Sequence, residues 1–135
     1  MAKHNEVGRV GENIAKRFLE NKGFNIVELN YRKKWGEIDI VAKKNDILHF
    51  IEVKTISDPV ARSFITGSRD VTHETFKPED AVTVWKIKKL HRAISSYLSE
   101  KNVSHETPWQ LDIVAIKLNE KIKEARVKYI ENMGL

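Results

Sequence analysis

Residues 36–54 read GEIDIVAKKNDILHFIEVK, two apolar runs separated by a polar segment over 43–46. The runs predict β-strands over about Glu37–Ala42 and Ile47–Thr55, and the polar segment predicts the turn of a hairpin. The second run is apolar at both even and odd positions, which indicates a central strand that is covered on both faces. We therefore expect the fold to be organised around this hairpin.

Charged side chains interrupt both strands at positions where burial is expected. Asp39 lies within the first strand, and Glu52 and Lys54 lie two residues apart in the second, so these two share a face of the sheet. A turn centred on residues 44–45 would place Asp39 opposite Phe50, on the same side of the sheet. In this register Asp39 and Glu52 are diagonal neighbours, ~7–8 Å apart at the backbone, and their carboxylates can converge on one ion.

The same register places Glu37 opposite Glu52, which gathers three carboxylates on one small patch. Such carboxylates repel each other unless a cation neutralises them. Lys54 supplies one positive charge, and a divalent cation is the natural candidate for the rest. Because every candidate ligand is an oxygen, Mg²⁺, with Mn²⁺ as a substitute, fits better than zinc or copper. Ordinary salt bridges with Lys54 and Lys34 are the alternative interpretation, and the residues leave both open.

The remaining elements follow from apolar periodicity and from turn residues. They are a helix over about Val10–Asn21 that Gly23 ends, a strand over Phe24–Arg32, a second helix over Glu79–Glu100, and strands over Gln110–Leu118 and Glu124–Ile130. Periodicity is absent over 56–77, which predicts a mobile or functional loop. The order predicts one α/β domain over 1–135, in which helices pack on a mixed β-sheet.

Two helical residues are placed to reach the charges of the hairpin. Glu12 lies at the margin of the apolar stripe of the first helix, although the helix dipole alone also favours a glutamate in a first turn. Lys86 points into the apolar face of the second helix, where a lysine either extends its ammonium group to solvent or meets an anion. Asp112, in a buried strand, is either a further ligand or the partner of a buried lysine.

Composition excludes several classes of protein. The chain has 135 residues, a formal net charge of +5 and no cysteine, which excludes a disulfide scaffold, thiol catalysis and cysteine-rich zinc sites. No segment approaches the ~20 apolar residues of a membrane span, and no signal peptide is evident, so a cytoplasmic protein is expected. The positive charge favours a polyanionic partner. The five histidines show no ligand spacing, and the three tryptophans are interpreted as core or rim residues.

Ordered motifs along almost the whole chain resemble the YraN-like family of predicted endonucleases, within the PD-(D/E)XK nuclease superfamily. The motifs are Gly8-x-x-Gly11-Glu12-x-x-Ala15, Asn30-Tyr31-Arg32, Gly36-Glu37-Ile38-Asp39-Ile40, Phe50-Ile51-Glu52-Val53-Lys54, Pro78-Glu79-x-Ala81-Val82-x-x-x-Lys86, Tyr97-Leu98 and Leu111-Asp112-Ile113-Val114. The resemblance implies a restriction-endonuclease-like core of helix, three strands, helix and strand, related to the Holliday junction resolvases.

The resemblance also implies roles for particular residues. Asp39 and Glu52 are expected to be metal ligands, Lys54 the catalytic lysine, and Glu12 a supporting acid at the metal. The expected activity is Mg²⁺-dependent hydrolysis of phosphodiester bonds in DNA, including branched DNA. Resolvase relatives suggest a homodimer, because a junction has two strands to cut.

Substrate contacts are expected from Lys86, Arg32 and Glu37. The chain departs from the family pattern at two positions where an arginine is usual, which here hold Ile56 and Gln110. The expected metal ligands are thus all present, and the two departures concern the expected contacts with substrate. Two alternatives stay open, namely a nucleic-acid-binding module that has lost catalysis, and a protein-interaction domain whose acidic patch is paired to lysines.

Overall fold

The computed structural model describes residues 2–57, 84–119, 121 and 123–132 of the chain. The elements are α1 (Ala2–Asn21), β1 (Asn25–Lys33), β2 (Gly36–Lys44), β3 (Ile47–Ser57), α2 (Val84–Glu100), β4 (Trp109–Asn119) and β5 (Glu124–Ile130). The described strands form one sheet in the order β1-β2-β3-β4-β5. The β3–β4 pair is parallel and the other neighbouring pairs are antiparallel. The expected mixed α/β architecture is therefore confirmed, and it is compatible with a restriction-endonuclease-like core.

The first helix begins eight residues before the predicted start and ends where predicted. Val7 packs against the apolar cluster beneath α1, which favours helix on the N-terminal side of Val10. At the other end Gly23 has φ of +94°, and its amide donates to the carbonyl of Glu20 at 3.0 Å. The amide of Phe24 donates to the carbonyl of Leu19 at 3.0 Å, which completes a Schellman cap that glycine best accommodates.

The middle of the chain is only partly described. Residues 56–57 complete β3 instead of beginning the predicted loop. The rest of the 56–77 segment, and the predicted start of the second helix at Glu79, lie outside the described residues. In the part of the chain that the structure describes, no helix is both long and apolar enough to cross a lipid bilayer.

Strand β3 is buried on both faces, as its continuous apolar sequence predicts. On one face Phe50 belongs to a cluster with Leu90 and Tyr97 of α2. On the other face Ile51 belongs to a cluster with Leu19 of α1. Burying one such large apolar side chain contributes ~1.5–3 kcal/mol, so the two helices hold β3 firmly from opposite sides. Charged groups that extend from β3 therefore have a rigid base.

The hairpin turn differs from the prediction by two residues in register. Lys44 pairs with Ile47, and Val41, not Asp39, lies opposite Phe50. The two turn residues between that first pair, at 45–46, have φ of +53° and +66°. These values suit a tight two-residue turn, and Asn and Asp tolerate them better than lysine does. A shift of two residues changes which residues lie opposite each other but leaves each side chain on its predicted face of the sheet, because side chains alternate with a period of two.

Gly11 lets α1 pack directly against β3. A Cβ atom at this position would lie 1.8 Å from Oγ1 of Thr55, whereas a Cβ at Gly8, one turn earlier, would meet nothing within 4 Å. The β-branched threonine is short and cannot swing away. We expect Gly11→Ala to lower the free energy of unfolding by ~1–3 kcal/mol through overpacking.

The matched substitution Gly8→Ala should instead raise the free energy of unfolding by up to ~1 kcal/mol, because alanine is the better helix former. Urea denaturation of the two variants beside the parent measures both effects. Equal stability changes in the two variants would show that α1 does not rest on Thr55 as described.

Candidate functional site

An open cleft of about 870 Å³ lies between α1 and α2, where β2 and β3 stop pairing with each other. Its lining includes the residues expected to bind metal, to act in catalysis or to contact substrate, namely Glu12, Arg32, Glu37, Asp39, Glu52, Lys54 and Lys86. These residues come from α1, β1, β2, β3 and α2. The fold thus brings together side chains that are up to 74 positions apart, from Glu12 to Lys86.

Charge is distributed unevenly across this cleft. Asp39 and Glu52 are 8% and 7% exposed, so the two carboxylates lie at its floor. The basic side chains of the lining are half-buried or exposed and form its rim; they are Arg32, Lys33, Lys34, Lys54, Lys86 and Lys89. An acidic floor attracts a small cation, and a basic rim attracts an extended polyanion.

Asp39 lies where the pairing of β2 with β3 stops. The last paired residues are Ile40 and Ile51. Beyond this pair a side-chain contact replaces the backbone hydrogen bonds between the strands: Oδ2 of Asp39 accepts a hydrogen bond of 2.7 Å from the amide of Val53. This contact holds the carboxylate between the two strands and next to Glu52. The predicted register, in which Asp39 and Glu52 are diagonal neighbours, is therefore wrong. Their expected proximity is confirmed.

Strand alternation breaks at Asp39. Ile38 and Val41 are three positions apart, yet they belong to the same apolar cluster beside α2. Regular alternation would send them to opposite faces of the sheet. On β1, the pairs on either side place Asn30 opposite Asp39, and Asn30 has φ of +52°. The irregular backbone of both strands turns the Asp39 carboxylate into the cleft.

Asn30 links β1 to α1 at the site. Its side-chain amide donates a hydrogen bond to the carboxylate of Glu12. Burial raises the pKa of Glu12 above its ordinary value, and this hydrogen bond opposes the rise. Asn30 belongs to the motif Asn30-Tyr31-Arg32, and its contact with Glu12 was not predicted. The available signal was an asparagine inside a strand pattern, because asparagine tolerates positive φ and can mark an irregular position in a strand.

Burial raises the pKa of Asp39 to about 8, and the negative charge of Glu52 adds to the rise. The amide of Val53 opposes it by stabilising the ionised form. Glu12 and Glu37 contribute further repulsion. The protein therefore holds a carboxylate that either keeps its proton near neutral pH or requires a nearby cation.

This pKa predicts a particular dependence of stability on pH. Between its ordinary value of 3.8 and about 8, folded Asp39 keeps a proton that the unfolded chain releases. The free energy of unfolding should therefore fall as the pH rises through this window. At pH 8 we expect Asp39→Asn to exceed the parent in stability by ~1 kcal/mol or more, and the two to converge near pH 4. Thermal denaturation across this range measures the effect, and parallel curves would contradict it.

Glu52 pairs with Lys86, not with Lys54. The Nζ atom of Lys86 lies 2.6 Å from Oε2 of Glu52. The lysine on the apolar face of α2 thus meets an anion, which was one of its two predicted outcomes. Lys54 lines the cleft and forms no ion pair with any residue that the structure describes. The alternative interpretation, in which the acids form salt bridges with Lys54 and Lys34, is therefore not what the described residues show.

Glu37 lies opposite Arg32 on β1, and the predicted position opposite Glu52 is wrong. Nε of Arg32 lies 3.4 Å from Oε1 of Glu37; the Arg32 side chain is exposed and the Glu37 side chain is partly exposed. Exposed pairs of this kind contribute ~0–1 kcal/mol, so the pair can open at little cost. Both side chains are accessible to a ligand in the cleft.

Asp112 lies outside the cleft lining, and neither predicted alternative describes it. Its Oδ2 lies 2.6 Å from Nδ1 of His49 and accepts a 2.6 Å hydrogen bond from the hydroxyl of Tyr129. Its Oδ1 accepts hydrogen bonds from Nε2 of Gln110 at 2.8 Å and from the amide of Asn132 at 2.7 Å. The fully buried carboxylate therefore ties β3, β4 and the segment after β5 together. Gln110, where the family resemblance expects arginine, belongs to this network.

These features define a mixed α/β protein with an acidic cleft surrounded by basic side chains. Residues 11–116 match the model of uncharacterised protein family UPF0102. A UPF0102 protein of Campylobacter hominis is 35% identical over 133 residues, which cover 98% of this chain and 97% of that protein. UPF0102 proteins of Campylobacter fetus and Clostridium botulinum are 35% and 33% identical over 127 residues, covering 94% of this chain and 92% of each relative. The chain therefore belongs to the UPF0102 family, in agreement with its YraN-like motifs.

Proposed function

We propose that the protein is a Mg²⁺-dependent nuclease of the PD-(D/E)XK type that hydrolyses phosphodiester bonds in DNA. The observation that carries the proposal is the convergence of Asp39, Glu52 and Lys54 on one cleft with a basic rim. A divalent cation at the floor and a phosphate backbone along the rim would satisfy both sets of charges. A protein-interaction domain would not need two carboxylates buried side by side.

The donor set fits a Mg²⁺ ion. Asp39 and Glu52 would hold it with carboxylate oxygens, the ligands that this hard cation prefers. No group of three acidic or histidine side chains forms a compact metal site within the described residues, so water and substrate phosphate would complete the coordination. Mg²⁺ commonly binds in this way, through one or two carboxylates at phosphate-handling sites. Glu12, held by Asn30, would assist from the side of α1.

A bound Mg²⁺ ion would polarise a phosphoryl oxygen and lower the pKa of a coordinated water. Lys54, which has no carboxylate partner among the described residues, would orient the attacking water and stabilise the charge that develops on the phosphate. The rigid packing of β3 fixes Glu52 and Lys54 relative to each other. Positioning of this kind accounts for much of the catalysis of phosphoryl chemistry.

Lys86 would exchange partners when a cation and a substrate bind. Its side chain is 39% exposed, so the ammonium group can leave Glu52 without crossing a packed core. A divalent cation on Glu52 would repel the lysine, and a phosphate at the rim would attract it. Lys86 then contacts the substrate, as do Arg32 and Glu37 at the edge of the cleft. A homodimer with one cleft for each strand of a branched DNA stays a prediction from the resemblance.

The direct test is cleavage of labelled DNA by the purified full-length chain. Single strands, blunt duplexes and four-way junctions are incubated with Mg²⁺, Mn²⁺ or EDTA. We expect cleavage of at least one DNA with Mg²⁺ or Mn²⁺ and none with EDTA. Cleavage that persists in EDTA, or intact DNA under every condition, would contradict the proposal.

One observation favours a second candidate, a DNA-binding module without catalysis. Lys86 already pairs with Glu52, so one of the two buried carboxylates has a cationic partner without a metal ion. Such a module would bind DNA in EDTA, with an affinity that falls steeply as salt is added, and would leave the DNA intact. The cleavage experiment separates the two candidates.

A further inference from the structure

A second groove, of about 440 Å³, lies beside the cleft on the outer face of α2. Its lining consists of Trp35, His91, Arg92, Ser95 and Ser96. This volume falls within the ~300–1,000 Å³ typical of small-ligand sites. An aromatic plane, a guanidinium group and hydroxyls on one groove are the groups that bind a nucleobase and its phosphate.

Trp35 is a large aromatic residue that remains 40% exposed while its position is fixed. Its indole Nε1 donates a 2.9 Å hydrogen bond to Oγ of Ser96. The turn that carries it is pressed onto α2, because a Cβ at Gly36 would lie 2.6 Å from the backbone oxygen of Lys89. A pre-oriented aromatic surface loses little entropy when a ligand stacks on it.

The groove continues the cleft. Lys34 and Gly36, which flank Trp35 in the chain, line the cleft, and so does Leu90, which precedes His91. Arg92 follows Lys86 by six positions, which is ~9 Å along the helix axis. A strand bound in the cleft can therefore reach the groove within a few nucleotides.

We infer that this groove binds an unpaired nucleotide of the DNA substrate, with its base stacked on Trp35 and its phosphate near Arg92. Inside a duplex, neighbouring bases cover both faces of each base, so away from a duplex end the indole can stack only on a base that is unpaired. The inference rests on the proposed function and narrows its substrate to DNA with unpaired nucleotides beside the cleaved bond, such as a single strand, a flap or a branch.

The test measures binding in EDTA, where cleavage cannot occur. Fluorescence anisotropy compares a short labelled single strand with the blunt duplex of the same sequence, for the parent, Trp35→Ala and Trp35→Phe. We expect Trp35→Ala to weaken binding of the single strand by ~5-fold or more and to leave the duplex affinity little changed. Trp35→Phe, which keeps an aromatic ring, should retain most of the affinity.

Val27→Ala is the matched control, because Val27 is a 47% exposed apolar residue on the edge strand β1, outside both linings. It should bind both DNAs as the parent does. Ser96→Ala removes the hydrogen bond to the indole but retains Trp35, so it should cause a smaller loss of affinity, and only for the single strand. Equal losses for both DNAs, no loss in Trp35→Ala, or no DNA binding by the parent would overturn the inference. Because the readout is binding, a protein that binds in this way without cleaving would overturn only the proposed function.

Discussion

Glu52→Gln is expected to lower the rate of DNA cleavage by ~10²-fold or more, because it removes one of two carboxylates at the floor of the cleft. Glutamine keeps the size of the side chain and one oxygen, so the packing around β3 should persist. Lys54→Met should lower the rate by ~10²–10⁴-fold, since it removes the ammonium group expected to act on the attacking water and the phosphate. Single-turnover cleavage of the DNA that the parent cuts fastest measures both effects.

Controls of the same chemistry lie on the exposed surface. Glu20→Gln affects a carboxylate that pairs with Lys16 at 3.7 Å on the surface of α1, and Lys43→Met affects an exposed lysine near the hairpin turn. Both variants should cleave at the parental rate. Undiminished cleavage by both Glu52→Gln and Lys54→Met would mean that the activity does not come from this cleft.

The largest effect on stability is expected at Asp112. Asp112→Ala would leave His49, Gln110 and Tyr129 without their buried acceptor, and also the amide of Asn132. Breaking a buried charged network of this kind typically costs ~3–5 kcal/mol, a large part of the stability of a domain of this size. We expect the variant to be partly unfolded or to melt far below the parent, as circular dichroism would measure.

Tyr129→Phe serves as the graded companion to this substitution. It removes one hydrogen bond to Asp112 and keeps the ring that contacts Phe18 and Phe24, so a loss of ~1 kcal/mol is expected. Because Tyr129 lies outside the cleft, the variant should keep its cleavage rate. A loss of cleavage with unchanged stability would instead assign this network to the catalytic site.

Local signals were sufficient to predict most elements of the fold. The doubly apolar run of β3 predicts its central position, and Gly23 predicts the end of α1, because each depends on neighbouring residues alone. The last strand, Glu124–Ile130, has the predicted bounds. Helix α1 was predicted too short because the contact that favours its first turns involves Val7 and residues distant in sequence.

The sequence was sufficient to predict which residues line the site, but not which of them contact each other. Alternation placed Glu52 and Lys54 together, but the register depended on which residues of the turn accept positive φ. The ion pair between Glu52 and Lys86 and the hydrogen bond between Asn30 and Glu12 join separate elements. No periodicity within one segment encodes such contacts, since they depend on how the helices pack on the sheet.

The most direct test of a divalent cation held by Asp39 and Glu52 is isothermal titration of the full-length chain with Mn²⁺ in the absence of DNA. We expect one saturable site in the parent and in Glu20→Gln, and a loss of affinity of ~10-fold or more in Asp39→Asn and in Glu52→Gln. The same isotherm in all four proteins, or no binding by the parent, would contradict the account.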